Sequence, residues 1–500
     1  MKSFFPSFIL LFILLFSSLS SQAVPPISGG SEPRRPRVAR PASFSQRFIS
    51  PRQRSVGERN LAPKGLLILA QFTDLTFQST NDLEAFEQLA NGVTYTHNGA
   101  YCSAQAYFVA QSDGQYVPQF DVIGPVTLPH NYAYYGTNDA SGYDQYTADF
   151  VMDAVAQADA EVDFTKYDND KDGVIDFVYI IYAGKGEADG GNANTIWPHN
   201  WDMISNFYYG YTNQSVYYYK TEKDYRLPQY DGVTLNDYAC SAELAGNGNR
   251  TTIGVICHEF SHVLGLPDYY TTSDDATVVE NMTPGAWSLM GYGCYLASGN
   301  VPCNYSAFDK YYMQWVTPQV LWQSQTVTMP ADGKTYFLVT RDGAMPADGA
   351  MTADTVYYIE NRQYEGLDKH LPGHGMLVWQ VVYDYAQWLN NTPNNYTVRY
   401  ALLTADDSRP YSSDKWGGMK EGVPFPGNTN RQSLSLFGFK LEQIEESDLG
   451  VISFRFVNPL MPTALDDIET SAATDKVLHN GRLLILRNGL TYDLQGQRVK

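Results

Sequence analysis

Cysteine is scarce in this chain: five residues in 500, at positions 102, 240, 257, 294 and 303. Five is too few for a disulfide scaffold, and the odd number leaves at least one outside any intrachain pair. Cys294 and Cys303 are close enough in sequence to bridge, whereas Cys257 reads as a core residue. Charge is also sparse, at 18% of residues, and basic charge is outnumbered. The net of −20 argues against nucleic acid or an anionic membrane surface as the main partner and favours divalent cations. Beyond the first 23 residues no run reaches the roughly 18–20 apolar positions that a membrane span needs. There is no internal repeat. Disorder is excluded by what is plentiful: 44% of residues are apolar, with 38 Tyr and 24 Phe, enough for at least two packed cores.

The chain divides into stretches of different composition. Lys2, the apolar run Phe8 to Phe16 and the small-residue site Ser21-Gln22-Ala23 predict a secretory signal peptide over 1–23. No Cys lies nearby, which excludes a bacterial lipid anchor there. Residues 24–60 are rich in Pro, Arg and Ser, with eight Arg against Glu32 and Glu58, a net of +6. This is a linker or a pro-segment, and with Lys2 set aside it leaves −27 on residues 61–500. It holds neither Cys nor His, so it cannot cap a metal through a thiolate. Apolar runs at 65–72 and 177–182 predict buried strands, and helical patterns fall at 81–91, 102–112 and 142–160. Together they outline an α/β half over 61–316. From residue 317 short β-rich runs separated by Gly, Pro, Asn and Asp predict a β-sandwich to 457. A linker (458–474) and a short β tail (475–500) follow.

The segment from Thr251 to Asp268 carries the chemistry. Thr251-Thr252 can cap a helix whose apolar face is Ile253, Val255, Ile256, Phe260, Val263 and Leu264. His258 and His262 are four apart on it, one turn, so both imidazoles can reach a single ion at roughly 2.0–2.1 Å. Glu259 follows the first His and can serve as general base toward the attacking water. Gly265 can end the helix in a left-handed turn, Leu266-Pro267 directs the chain back, and Asp268 falls where a third ligand belongs. Glu280 is the rival third ligand. Downstream, Trp287-Ser288-Leu289-Met290-Gly291-Tyr292-Gly293 has the form of a tight turn that sets Met290 beneath the metal.

HEFSHVLGLPDYY (258–270) together with WSLMGYG (287–293) resembles the immune-inhibitor-A family of bacterial metallopeptidases, relatives of the metzincins. Similarity extends through QFDVIGPVTLPHNYAYYG (119–136), IWPHNW (196–201) and YYIENRQYEGLDKHLPGHGMLVW (357–379). The resemblance implies an α+β fold: a metzincin-like zinc peptidase catalytic domain, then a β-sandwich domain and the C-terminal tail. It implies Zn2+ on His258, His262 and Asp268, Glu259 as the base, Met290 as a structural floor, and protein or peptide substrates outside the cell. Tyr292 matches a tyrosine that in some metzincin families ligates zinc loosely or stabilises the oxyanion; packing beside the site is its other reading. The tail Gly481 to Val499 is similar to the shorter sorting tails of type IX secretion cargo, a second link to secretion machinery after the signal peptide.

A separate motif, Asp168-Asn169-Asp170-Lys171-Asp172-Gly173-Val174-Ile175-Asp176, spaces carboxylates as in the first half of an EF-hand loop. It predicts a structural Ca2+ site on Asp168, Asp170, Asp172, Asp176 and the Val174 carbonyl. The bidentate Glu of a full loop is missing, with Tyr179 in its place. Two other functions remain open at this stage: a surface protein- or glycan-binding protein with a vestigial zinc site, and a zinc amidase acting on cell-wall peptide. The intact Glu259 speaks against the first.

Overall fold

The computed structural model describes residues 61–500, except 141, 214–226, 273–275, 279–281, 347–353, 407–421, 462–474, 480–481, 488–489, 493–497 and 500. The expected signal peptide and basic segment, 1–60, lie outside the described residues, as does most of the 458–474 linker. Among the described residues no helix is long and apolar enough to cross a membrane.

The first sheet contains β1 (Lys64–Gln71), β2 (Gln119–Thr127), β3 (Val178–Lys185), β4 (His199–Asp202) and β7 (Asp237–Leu244), in the order β2-β1-β3-β7-β4. The first four in that order are mutually parallel, and β4 closes the edge antiparallel to β7. A small hairpin, β5 (Gln229–Tyr230) with β6 (Val233–Thr234), stands beside it. Continuous apolar runs suit this arrangement because parallel strands are covered on both faces. Alternate residues split accordingly. Leu67, Leu69, Tyr179 and Ile181 enter one core, and Leu66, Ile68, Val178 and Ile180 enter the other.

The region after 317 forms two more sheets. One, ordered β13-β12-β11-β10-β8, contains β8 (Gln319–Val320), β10 (Phe337–Val339), β11 (Thr355–Arg362), β12 (Gly375–Val382) and β13 (Tyr400–Leu403). The other, ordered β14-β15-β16-β9, contains β9 (Gln325–Met329), β14 (Leu434–Leu436), β15 (Phe439–Glu446) and β16 (Ile452–Val457). Val327, Phe337, Ile359, Val378, Leu441 and Phe454 share the core between them. The opposite face of the five-stranded sheet (Leu338, Tyr358, Leu377, Trp379, Tyr400) joins the same core as the helix carrying the two histidines. Packing is therefore continuous across residue 317. The tail adds an antiparallel sheet of β17 (Asp475–His479), β18 (Arg482–Arg487), β19 (Leu490–Tyr492) and β20 (Arg498–Val499).

At that junction lies a buried ionic cluster. Arg362 bonds Asp368 at 2.9 Å and Glu360 at 3.1 Å and donates to the Tyr305 carbonyl. The Trp379 indole N–H donates to Glu360. Burial alone would weaken the Arg362 charge, but Asp368 and Glu360 hold its pKa well above the usual value. All five cysteines are free, Cys294 and Cys303 included, and Cys257 is fully buried in the core.

Candidate metal centre

The helix Ile253–Val263 is held to the sheet by Phe260, whose ring lies 4.9–5.0 Å from those of Phe108, Phe120 and Phe177. His258 and His262 lie two residues to either side of Phe260 and so project from the opposite face. Thr252 occupies the N-cap position, but its side chain makes no capping hydrogen bond; its hydroxyl instead lies over the Gly299 backbone. Gly254 is required by close approach, since a Cβ there would stand 1.9 Å from the Cys294 carbonyl oxygen. The helix therefore lies directly on the turn that follows Met290.

The helix ends as its sequence predicts. Gly265 has φ +91°, and the Leu266 N–H reaches back to the Ser261 carbonyl at 3.1 Å, the bond pattern of a glycine-terminated helix. The reversed chain is tied to the methionine turn by Tyr269 N–H donating to the Met290 carbonyl at 2.8 Å. Met290 is fully buried.

His258 Nε2 and His262 Nε2 lie 3.0 and 3.3 Å from the same oxygen, Asp268 Oδ1. The three donor atoms fall within 4.8 Å of one another. Ligands about 2.0–2.1 Å from a tetrahedral ion are about 3.3 Å apart, so the spacing fits one such ion. The opposite ring nitrogens agree. His258 Nδ1 contacts the Leu289 carbonyl at 2.9 Å and His262 Nδ1 the Leu266 carbonyl at 2.8 Å. A carbonyl can only accept, so each Nδ1 carries a proton and each Nε2 is the nitrogen that could face a metal. In the metal-free chain, burial would lower the His258 pKa, but Asp268 raises it well above the usual range. Burial would raise that of Asp268, but His262 and His258 hold it well below. The site is thus a buried carboxylate oxygen facing two imidazole nitrogens.

Glu259 is only 1% exposed and lies outside the donor triad. Burial together with the Glu259 charge pushes the Tyr179 hydroxyl pKa well up. Tyr292 is buried, with its ring 6.3 Å from Tyr270, whose ring lies 6.5 Å from His258. Glu280 lies outside the described residues. Sequence reasoning missed Asn391, which bonds both the backbone N–H and the carboxylate of Asp268 from 123 residues downstream. No motif or local periodicity marks it.

The acidic loop is folded against β1. Asn169 bonds both the N–H and the carbonyl of Lys64. Asp168 accepts from the N–H groups of Asp172 and Gly173, and Asp176 accepts from Asn169 N–H. Asp168, Asp170 and Asp176 offer oxygens within 4.8 Å of one another. Asp172 is not part of that triad and bonds the Val174 N–H instead. Val174 pairs with Thr234 of the small hairpin.

The catalytic-domain family "Immune inhibitor A peptidase M6" matches residues 68–318. Immune inhibitor A of Bacillus thuringiensis subsp. alesti is 29% identical over 232 residues, 42% of this chain and 31% of that protein. The pre-pro-metalloprotease PrtV of Vibrio cholerae serotype O1 is 25% identical over 244 residues, 45% of this chain and 25% of its own length. The chain thus covers less than a third of the length of these relatives. With half of its residues inside the family match, the chain belongs to the immune inhibitor A family of M6 peptidases.

Proposed function

We propose that this chain is a secreted zinc-dependent endopeptidase, with His258, His262 and Asp268 as the zinc ligands and Glu259 as the general base. The observation that carries this reading is the convergence of two imidazole Nε2 atoms on one carboxylate oxygen, each imidazole with its other nitrogen on a backbone carbonyl. Zinc in such a site supplies Lewis acidity, bringing the deprotonation of water toward pH 7 and polarising a peptide carbonyl. Glu259 takes the proton from the attacking water and returns it to the leaving amine. Tyr292 supports the developing oxyanion. Asp268, an anion where related enzymes use a neutral histidine, lowers the net charge of the centre. Membership of a peptidase family and the likeness to a metalloprotease support protein substrates.

The chain should hydrolyse casein, lose that activity to a chelator and recover it with zinc, and leave soluble muropeptides uncut. Muropeptide cleavage in place of casein would make it a cell-wall amidase; zinc binding without hydrolysis would make it a binding protein.

The same reading takes 1–23 as an export signal and 24–60 as a basic linker or pro-segment. It takes 61–316 as the catalytic domain, 317–457 as a β-sandwich domain, 458–474 as a linker and 475–500 as a tail for the secretion machinery. It also assigns a structural calcium ion to the loop of Asp168, Asp170, Asp172, Val174 and Asp176. A calcium concentration of 100 Kd then stabilises the chain by about 2.7 kcal/mol, and Asp170→Ala should lose most of that gain. A melting temperature that ignores calcium in the parent chain removes the ion from the account.

A further inference from the structure

We propose that Asn391 is a positioning residue for Asp268, so that the region beyond the family match completes the metal centre. The inference rests on the zinc reading above. Asn391 follows the short helix Tyr385–Leu389 and has φ +58°, a left-handed conformation that asparagine tolerates better than other side chains. It is 4% exposed. Its side-chain oxygen accepts the Asp268 backbone N–H at 2.5 Å, and its amide nitrogen donates to Asp268 Oδ2. One planar group therefore grips Asp268 at both the main chain and the carboxylate, which fixes the side-chain rotation.

The two oxygens of Asp268 divide their partners. Oδ2 is taken by Asn391, while Oδ1 faces His258 and His262. Oδ1 is therefore the oxygen that would face a metal held with His258 and His262. A hydrogen bond from a neutral amide orients the carboxylate without cancelling its charge. Partners of this kind are typically worth about 10–100-fold in metal affinity.

The neighbouring residues hold the loop rather than the ligand. Asn395 Oδ1 accepts the Thr272 N–H, and its carbonyl accepts the N–H groups of Thr277 and Val278. Asn394 donates to the carbonyls of Tyr269 and Tyr400. Of these three asparagines, Asn391 is the one that bonds Asp268, and this supplies an internal control.

The experiment measures zinc affinity of the full chain by competition with a chromophoric chelator, together with the visible spectrum of the cobalt(II)-substituted protein. Asn391→Gly deletes the amide while keeping the left-handed backbone free of strain. It should weaken zinc about 10–100-fold and alter the cobalt spectrum. Asn391→Asp keeps the acceptor but sets a second carboxylate against Oδ2, and should weaken zinc at least as much. Asn395→Ala loosens the same loop and should lower the melting temperature of the metal-free chain while leaving the cobalt spectrum unchanged. Affinity and spectrum of Asn391→Gly matching the parent would overturn the proposal. So would an equal loss of zinc in Asn395→Ala, which would make Asn391 a loop anchor only. A parent chain that binds no zinc would overturn the zinc reading itself, and this proposal with it.

Discussion

Replacing Glu259 by Gln should leave zinc bound and the fold intact while lowering kcat/KM for peptide hydrolysis by about 10²–10⁴-fold, the range of a lost general base. Glu259 lies next to His258 on the same helix but is not in the donor triad, and the proposed mechanism has it act on the water and not on the metal. Gln keeps the shape and the hydrogen-bonding reach and removes the basicity. Steady-state kinetics paired with elemental analysis of the same sample separates the two roles. Turnover close to that of the parent contradicts the mechanism. Loss of zinc would instead assign Glu259 to the ligand set.

The second large effect is on stability. Arg362→Met should cost about 3–5 kcal/mol, the usual consequence of removing one partner from a buried ion pair. Glu360 and Asp368 are both buried, and each would lose its guanidinium contact of 2.9–3.1 Å. The backbone acceptor at Tyr305 would also lose its donor. Since the cluster sits where the five-stranded sheet joins the core of the motif helix, the destabilisation should reach the metal centre as well. Urea titration followed by tryptophan fluorescence reads this as a lower midpoint. A shift equivalent to less than about 1 kcal/mol, the size of a surface ion pair, would show that the cluster contributes little.

The local parts of the site were legible because their rules are local. The His258–His262 spacing, the glycine stop at 265 and the return to Asp268 all follow from helix geometry within eleven residues. The strands β1 and β3 were legible as apolar runs. β7 was not, because its sequence, Asp-Tyr-Ala-Cys-Ser-Ala-Glu-Leu, reads as mixed. Its buried Glu243 is satisfied by Asn81, Gln78 N–H and Gly184 N–H, partners that lie far away in sequence. The run 434–441 reads as one strand but is two, turned at Phe437-Gly438, where φ is +56° and +90°. The change of pattern at 317 marks new secondary structure but no gap in packing, since Tyr358, Trp379 and Tyr400 share the motif helix's core. Asn391 was beyond reach for the same reason: only the folded chain brings it to Asp268.

The most direct measurement of the central claim is a zinc titration of the chelator-stripped chain, with peptide hydrolysis followed at each addition and Asp268→Ala run alongside. In the parent, activity should return in proportion to zinc and level off at one equivalent per chain, while Asp268→Ala at the same concentrations should recover little. Hydrolysis that persists in the stripped chain, or that returns equally in Asp268→Ala, would contradict the assignment of His258, His262 and Asp268 as the catalytic metal site.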